Sequence, residues 1–295
     1  MTRLRLPACA VALLLATAGG CGEAPASTTS APFASTTSAP AGNPTTTETA
    51  PLAPVLFGLP GPSTGLDETR CRPERLGPGL EPFVPPEYGT AEIEALRHRR
   101  LVDPPGLLPA DPYGDPSLVP VDTGGVCAVL AVTEVPGGYR LQAFPDEPAA
   151  AAAGGVVTHT GACGVCSSLQ DLAVYLASPD LGEPVRQCAL LSLGGDEQAT
   201  LDCIMELGFS APCAQIWAFN AAHTRAACLG VCMAALDDPY HLPDGGLNPC
   251  LACDEEQSGP VFRAVAGRIR RNSGIPVAIC RPPEEVSAVV HDAYP

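Results

Sequence analysis

The chain has 295 residues, 32 of them acidic against 16 basic, for a formal net charge of −16; every basic residue is arginine. Neutralising phosphates needs clustered Lys and Arg, so this balance argues against a nucleic-acid partner. Thirty-four prolines and thirty glycines are too many for a chain that packs evenly along its length, and fourteen cysteines point to an oxidising compartment or to bound metal.

The N-terminus favours the first of these. Arg3 and Arg5 precede an apolar run, Ala8 to Thr17, which is too short to span a bilayer and suits a secretory signal. Ala18-Gly19-Gly20-Cys21 follows, and it resembles a bacterial lipobox, in which small residues precede a cysteine that is cleaved and lipidated. Residues 1–20 are therefore expected as a lipoprotein signal peptide, with acyl chains on Cys21 anchoring the mature N-terminus in the membrane. Ala18 stands where leucine is commonest, which keeps cleavage by the ordinary signal peptidase as the alternative. Gly22 is not the aspartate that the resemblance to inner-membrane-retained lipoproteins requires, so the outer membrane is expected where an organism has one.

Residues 21–55 read as a tether. Ser-Thr-Thr-Ser-Ala-Pro occurs at 27–32 and again at 35–40, and such side chains bury too little apolar area to offset the entropy of ordering, so disorder is expected. Residues 56–120 stay proline-rich and are expected to pack loosely, with one helix from Thr90 to Leu101 that has Thr90 as its cap and arginines in its last turn.

A cysteine-rich globular domain is expected over residues 121–295. Val126 to Val135, the turn Pro136-Gly137-Gly138 and Tyr139 to Phe144 read as a β-hairpin. After a strand-like Val156-Val157, the spacing of Val165, Leu169, Leu172, Ala173 and Leu176 predicts a helix that Ser178-Pro179 ends. Further helices are predicted over 183–193, 196–207 and 211–236, the last with Trp217 in the core, and from Ser258 to about Asn272 with Arg263, Arg270 and Arg271 off its apolar face. Ile275 to Cys280 reads as a strand pairing with the hairpin. The fold class is mainly α with a small β-hairpin or sheet (α+β), a disulfide-rich helical domain behind a disordered stalk.

The chemistry centres on Cys163-Gly-Val-Cys166. Cys163 at the start of a helix would have its thiolate stabilised by free backbone N–H groups, with Cys166 as the resolving thiol, which is the arrangement of a thiol–disulfide oxidoreductase. Ser273 to Ile279 resembles the loop that carries the cis-proline in thioredoxin-fold proteins, although no alternation of strand and helix lies between the two points. The alternative is that both cysteines are structural. Setting aside Cys9 and Cys21, the other candidates for disulfides are Cys71, Cys127, Cys188, Cys203, Cys213, Cys228, Cys232, Cys250, Cys253 and Cys280. Cys228 and Cys232 lie one helical turn apart and are expected to bridge to other elements rather than to each other. The Cys163/Cys166 and Cys250/Cys253 pairs together supply the four thiolates of a zinc site, but they are far apart in sequence and other cysteines compete, so no metal and no cofactor is expected. His159, Asp171, Asp254, Glu255, Arg270 and Arg271 form a candidate ligand site, against which stands a loop-capping histidine and a solvated charged face.

From Thr158 onward, the string His159-Thr-Gly-Ala-Cys163-Gly-Val-Cys166-Ser with Gln170-Asp171, then Leu247-Asn-Pro-Cys250-Leu-Ala-Cys253-Asp254-Glu255, Gly259-Pro260-Val-Phe262, Ala266-Gly267, Arg270-Arg271 and Gly274-Ile275, resembles a cysteine-rich family of secreted or membrane-attached proteins of algae and oomycetes. The resemblance implies a shared disulfide-bonded fold and supplies no activity. Together these observations lead to an exported, lipid-anchored binding or structural module of the cell envelope, with the membrane and an unknown envelope or extracellular ligand as partners. The alternatives are an oxidoreductase using Cys163 and Cys166, and a metal-binding protein.

Overall fold

A computed structural model describes residues 55–74, 82–192, 196–292 and 294. The expected signal peptide, Cys21 and the tether as far as residue 54 lie outside the described residues. The rest is α+β: a four-stranded sheet, a two-stranded parallel pair and eight helices among the described residues.

The sheet forms where β-branched and small apolar residues cluster. Strands β4 (Val126–Val132) and β5 (Gly138–Phe144) are the predicted hairpin, antiparallel with Val129 opposite Leu141. Its turn needs glycine twice: Gly137 has φ of 66°, and a Cβ on Gly138 would lie 2.6 Å from the Val135 side chain. Strand β6 (Val156–Thr160) pairs antiparallel with the other edge of β4, and β3 (Arg100–Leu101) pairs parallel with β5, giving the order β3-β5-β4-β6. The central strand β4 is buried from Val126 to Leu130.

Two corrections concern the C-terminal part. Ile275 to Cys280 is not a strand on the hairpin: β3 and β6 hold the two edges. Gly274, in left-handed conformation with φ of 66°, turns the chain away, and Pro276 has no N–H to offer a ladder. Arg281 instead bridges to Phe57 in β1 (Leu56–Phe57), which runs parallel to β2 (Cys71–Arg72). The last helix, α8 (Gly259–Ala266), stops at Gly267 rather than continuing to Asn272. At Gly267 φ is 72°, and a Cβ there would overlap the amide nitrogen of Gly164. Two backbones meet there, and the amides of Val165 and Cys166 donate to the carbonyls of Val265 and Ala266 at 3.0 and 2.9 Å. These are carbonyls that a helix end leaves unpaired. The loop after β6 thus caps α8.

Helix α3 (Leu169–Ala177) lies at the centre, with Leu169, Leu172, Ala173, Val174 and Tyr175 buried against Tyr139 of β5, Phe209, Ile216 and Val265. Short helix α1 (Thr90–Arg97) packs on it through Ile93 and Leu96, and α2 (Glu147–Ala152) connects β5 to β6. The longest helix, α6 (Ala211–Ala234), is contacted by α4 (Gly182–Leu191), α5 (Glu197–Glu206), α7 (Pro249–Gln257) and α8. Trp217 is half-buried on α6, between Phe209 and Phe262. Residues 56–120, expected to pack loosely, contribute buried Leu56, Phe57, Leu66 and Cys71 and stack Tyr113 on His223 of α6.

Replacing Gly267 by alanine adds left-handed strain to a clash with backbone that cannot move aside, so Gly267→Ala is expected to cost at least about 3 kcal/mol. Gly137→Ala has the same kind of φ but open space around it and should cost about 1 kcal/mol. Urea unfolding of the two variants beside the parent measures both; equal losses would show that the Gly164–Gly267 approach contributes nothing.

Candidate functional site

The cysteine motif does not form a dithiol. Helix α3 begins at Leu169 with Ser168 as its cap, so neither Cys163 nor Cys166 sits in a first turn where the helix end would stabilise a thiolate, and the reading of a helix-start dithiol is corrected. Cys163 is bonded to Cys127 of β4 and Cys166 to Cys213 at the start of α6. The motif is a branch point that fastens one loop to the sheet on one side and to the helices on the other. Cys188–Cys203 joins α4 to α5, and Cys71–Cys280 joins β2 to a segment 209 residues later. Cys228 and Cys232 leave α6 one turn apart and reach Cys253 and Cys250 of α7, two rungs between the same helices. The four sulfurs weighed for zinc are all in bonds with other partners, and among the described residues no three His, Cys, Asp or Glu side chains gather to hold a metal ion.

Behind the motif lies Arg268, at 0% exposure the largest fully buried side chain among the described residues. Its Nε donates to Cys166 O at 3.2 Å, Nη1 to Thr158 O at 2.9 Å and Ser273 Oγ at 3.2 Å, and Nη2 to Thr158 Oγ1 at 2.6 Å and Ser167 O at 3.0 Å. Five hydrogen bonds meet the five donors of a guanidinium, yet no acceptor among them is a carboxylate. Burial lowers the Arg268 pKa; fixed carbonyl and hydroxyl dipoles are its direct partners, and the buried Asp171 carboxylate, beyond ion-pair distance, opposes the shift.

The expected ligand residues fall in different places. His159 is buried with Nδ1 2.9 Å from Thr160 O and Nε2 2.7 Å from Ser167 Oγ. The carbonyl beside Nδ1 requires the proton there, so Ser167 donates to Nε2 while accepting from the Gly164 amide at 2.8 Å. Asp171 is buried too, accepting from Ser210 N at 2.7 Å, Ser210 Oγ at 2.9 Å and Ser168 Oγ at 2.5 Å, which ties the start of α3 to the start of α6; burial raises its pKa. Arg270 donates to the Ser178 carbonyl and lies over the Tyr175 ring at 5.6 Å. These three are satisfied inside the fold. Glu255 and Arg271 do meet: Glu255 pairs with Arg263 at 3.1 Å and with Arg281, while Arg271 lies 4.0 Å from it and pairs with Glu285 at 2.9 Å. Asp254 stands apart, accepting from Thr224 of α6.

A groove that sequence reasoning missed is formed by α4, the second half of α6, α7 and residues 235–240, with a volume of about 680 Å³. Val185, Leu190, Trp217, Leu229, Met233 and Leu236 give it apolar walls, and Asp254 is part of its lining. The one sequence signal for it is that α6 keeps large apolar side chains to its last turns, where Leu229 and Met233 are 50% and 61% exposed.

Residues 197–289 match a family of unknown function, DUF8771, a span that runs from α5 past Cys280 and contains both α6–α7 bridges, Arg268 and the Glu255 network. No curated protein and no solved structure matches the chain. Among the described residues no helix is long and apolar enough to cross a membrane.

His159 and His291 both lie near Arg268, and burial, reinforced by that charge, holds each at a pKa of about 3 against an ordinary 6.5. A folded pKa below the unfolded one means that the unfolded chain binds more protons, so stability should fall as pH drops from about 6.5 towards 3, by about 1.4 kcal/mol per pH unit for each histidine. His241, lowered by burial, acts in the same direction, while Asp171 and Asp254, raised by burial, oppose it in the carboxylate range. Unfolding measured between pH 7 and 4 should show the decline, with a shallower slope in His291→Gln; a flat profile would contradict the neutral buried pair.

Proposed function

We propose that this chain is an exported, lipid-anchored module of the cell envelope, a disulfide-stabilised binding or structural domain held at the membrane through Cys21. The observation that carries this reading is the complete pairing of the twelve cysteines from Cys71 onward into six bridges. Bridges of that number persist outside a reducing cytosol, which agrees with the secretory character of residues 1–20 and the lipobox-like Ala18-Gly19-Gly20-Cys21. Their placement also supports scaffolding over redox catalysis: an oxidoreductase needs one accessible pair that is easily reduced, whereas Cys163 and Cys166 belong to two bridges with different partners, and Cys166 is fully buried.

Two measurements test this. In cell fractionation, the parent should partition with membranes and Cys21→Ala should not; equal partitioning would remove the lipid anchor. In a glutathione redox series, the bridges should resist reduction at mild potentials, and selective mild reduction at Cys163 or Cys166 would return the oxidoreductase reading to first place.

A further inference from the structure

The groove between α4, α6 and α7 has a chemistry that neither the fold nor the bridges require. Its volume of about 680 Å³ falls in the range of small-molecule sites, which are mostly apolar with a few placed polar groups. The apolar walls include Leu190 of α4 and Leu229 and Met233 of α6, all exposed, so the fold leaves them uncovered.

The charged groups around it are mostly of one sign. Asp180, Glu183, Asp237, Asp238 and Asp254 line the groove against two cations, Arg186 and Arg225. Both cations are already engaged. Arg186 pairs with Glu183 at 2.9 Å, and Arg225 donates to Ser192 Oγ and to the carbonyl of Ala189. Asp180 accepts from Tyr240 Oη at 2.7 Å and from Gly182 N at 2.8 Å. Asp254 accepts from Thr224 Oγ1 and makes no ion pair among the described residues.

We propose that this groove binds a small cationic amphiphile, an apolar chain bearing a positively charged nitrogen, with the chain against Leu190, Trp217, Leu229 and Met233 and the cation at Asp254. An apolar body fits the walls, and Asp254, hydrogen-bonded by Thr224 and Asn220 and reached by the Arg263 charge only beyond ion-pair distance, selects the sign of the head group. An anionic head group would meet an excess of acids, five against two arginines that are already engaged. Burial raises the pKa of Asp254, so a cation there would also favour its ionised form. The proposal deepens the binding-module reading and rests on it.

Trp217 is the chain's single tryptophan and lines the groove, so its fluorescence reports occupancy directly. The full chain carrying Cys21→Ala is titrated, below micelle formation, with dodecyltrimethylammonium, dodecyl sulfate and dodecyl maltoside. The expected result is a saturable change in Trp217 emission with the ammonium compound, at least about tenfold tighter than with the other two. Asp254→Asn should weaken it by about tenfold, and Leu190→Arg, at an exposed position where folding is not at stake, should weaken it as well. If the sulfate or the maltoside binds as tightly as the ammonium, or if both variants leave affinity unchanged, the inference is overturned and an apolar binding site without charge selection remains. If no probe gives a saturable change, or only a basic peptide does, the inference is overturned too, and the module reading still stands or falls on its own redox and fractionation tests.

Discussion

The guanidinium of Arg268 is the interaction on which the rest of the structure depends. A buried cation with no carboxylate among its hydrogen-bond acceptors is tolerated only where dipoles replace water, and here they come from Thr158 on β6, Cys166 and Ser167 in the following loop, and Ser273 beyond α8. Those acceptors belong to segments more than a hundred residues apart in the chain. Each must be in place before the charge can leave water, so the side chain fixes the sheet edge, the cysteine loop and the C-terminal segment relative to one another. The two neutral histidines follow from it, since His159 and His291 lie close enough for that charge to oppose their protonation.

The cysteine loop is held in the same neighbourhood by means that need no charge. Gly164 and Gly267 let two backbones touch, and the amides of Val165 and Cys166 finish α8. The loop has then no freedom to present its two sulfurs as a pair: one faces β4 and the other α6. A Cys-x-x-Cys gains a low-pKa thiolate where a helix begins at it, and in this chain the helix begins at Leu169, with the Leu169 amide donating to Tyr139 Oη and the Asp171 amide to Ser168 Oγ. Loop-closure entropy grows with the logarithm of length, so taken alone the Cys71–Cys280 bridge, with a sequence separation of 209, limits the unfolded chain by about 2 kcal/mol more than Cys188–Cys203, with a separation of 15.

What was legible in the sequence was local. The hairpin announced itself through β-branched runs around Pro136-Gly137-Gly138, α3 through the spacing of Leu169, Leu172 and Leu176, and the two bridges from α6 through the single turn between Cys228 and Cys232. What stayed hidden depends on partners distant in the chain. Arg268 carries no sign of burial, because an arginine near the end of a helix reads as solvated, and its acceptors are mostly backbone carbonyls. Gly267 falls inside the helix that the sequence pattern carries to Asn272, and only its approach to Gly164 shows why the helix stops there. Of the candidate ligand residues, His159, Asp171 and Arg270 proved to be internal fastenings, Glu255 and Arg271 a charge network, and Asp254 part of a groove that exists only once α4, α6 and α7 are docked.

The most direct test of this account is the partner of each cysteine in the motif. Proteolysis of the oxidised, non-reduced protein followed by mass spectrometry of the linked peptides should yield Cys127 joined to Cys163 and Cys166 joined to Cys213, with no free thiol at either position. A peptide closed by a bond between Cys163 and Cys166 themselves would contradict it, since the loop would then be free to carry a reducible pair and the scaffold built around Arg268 would have to be arranged differently.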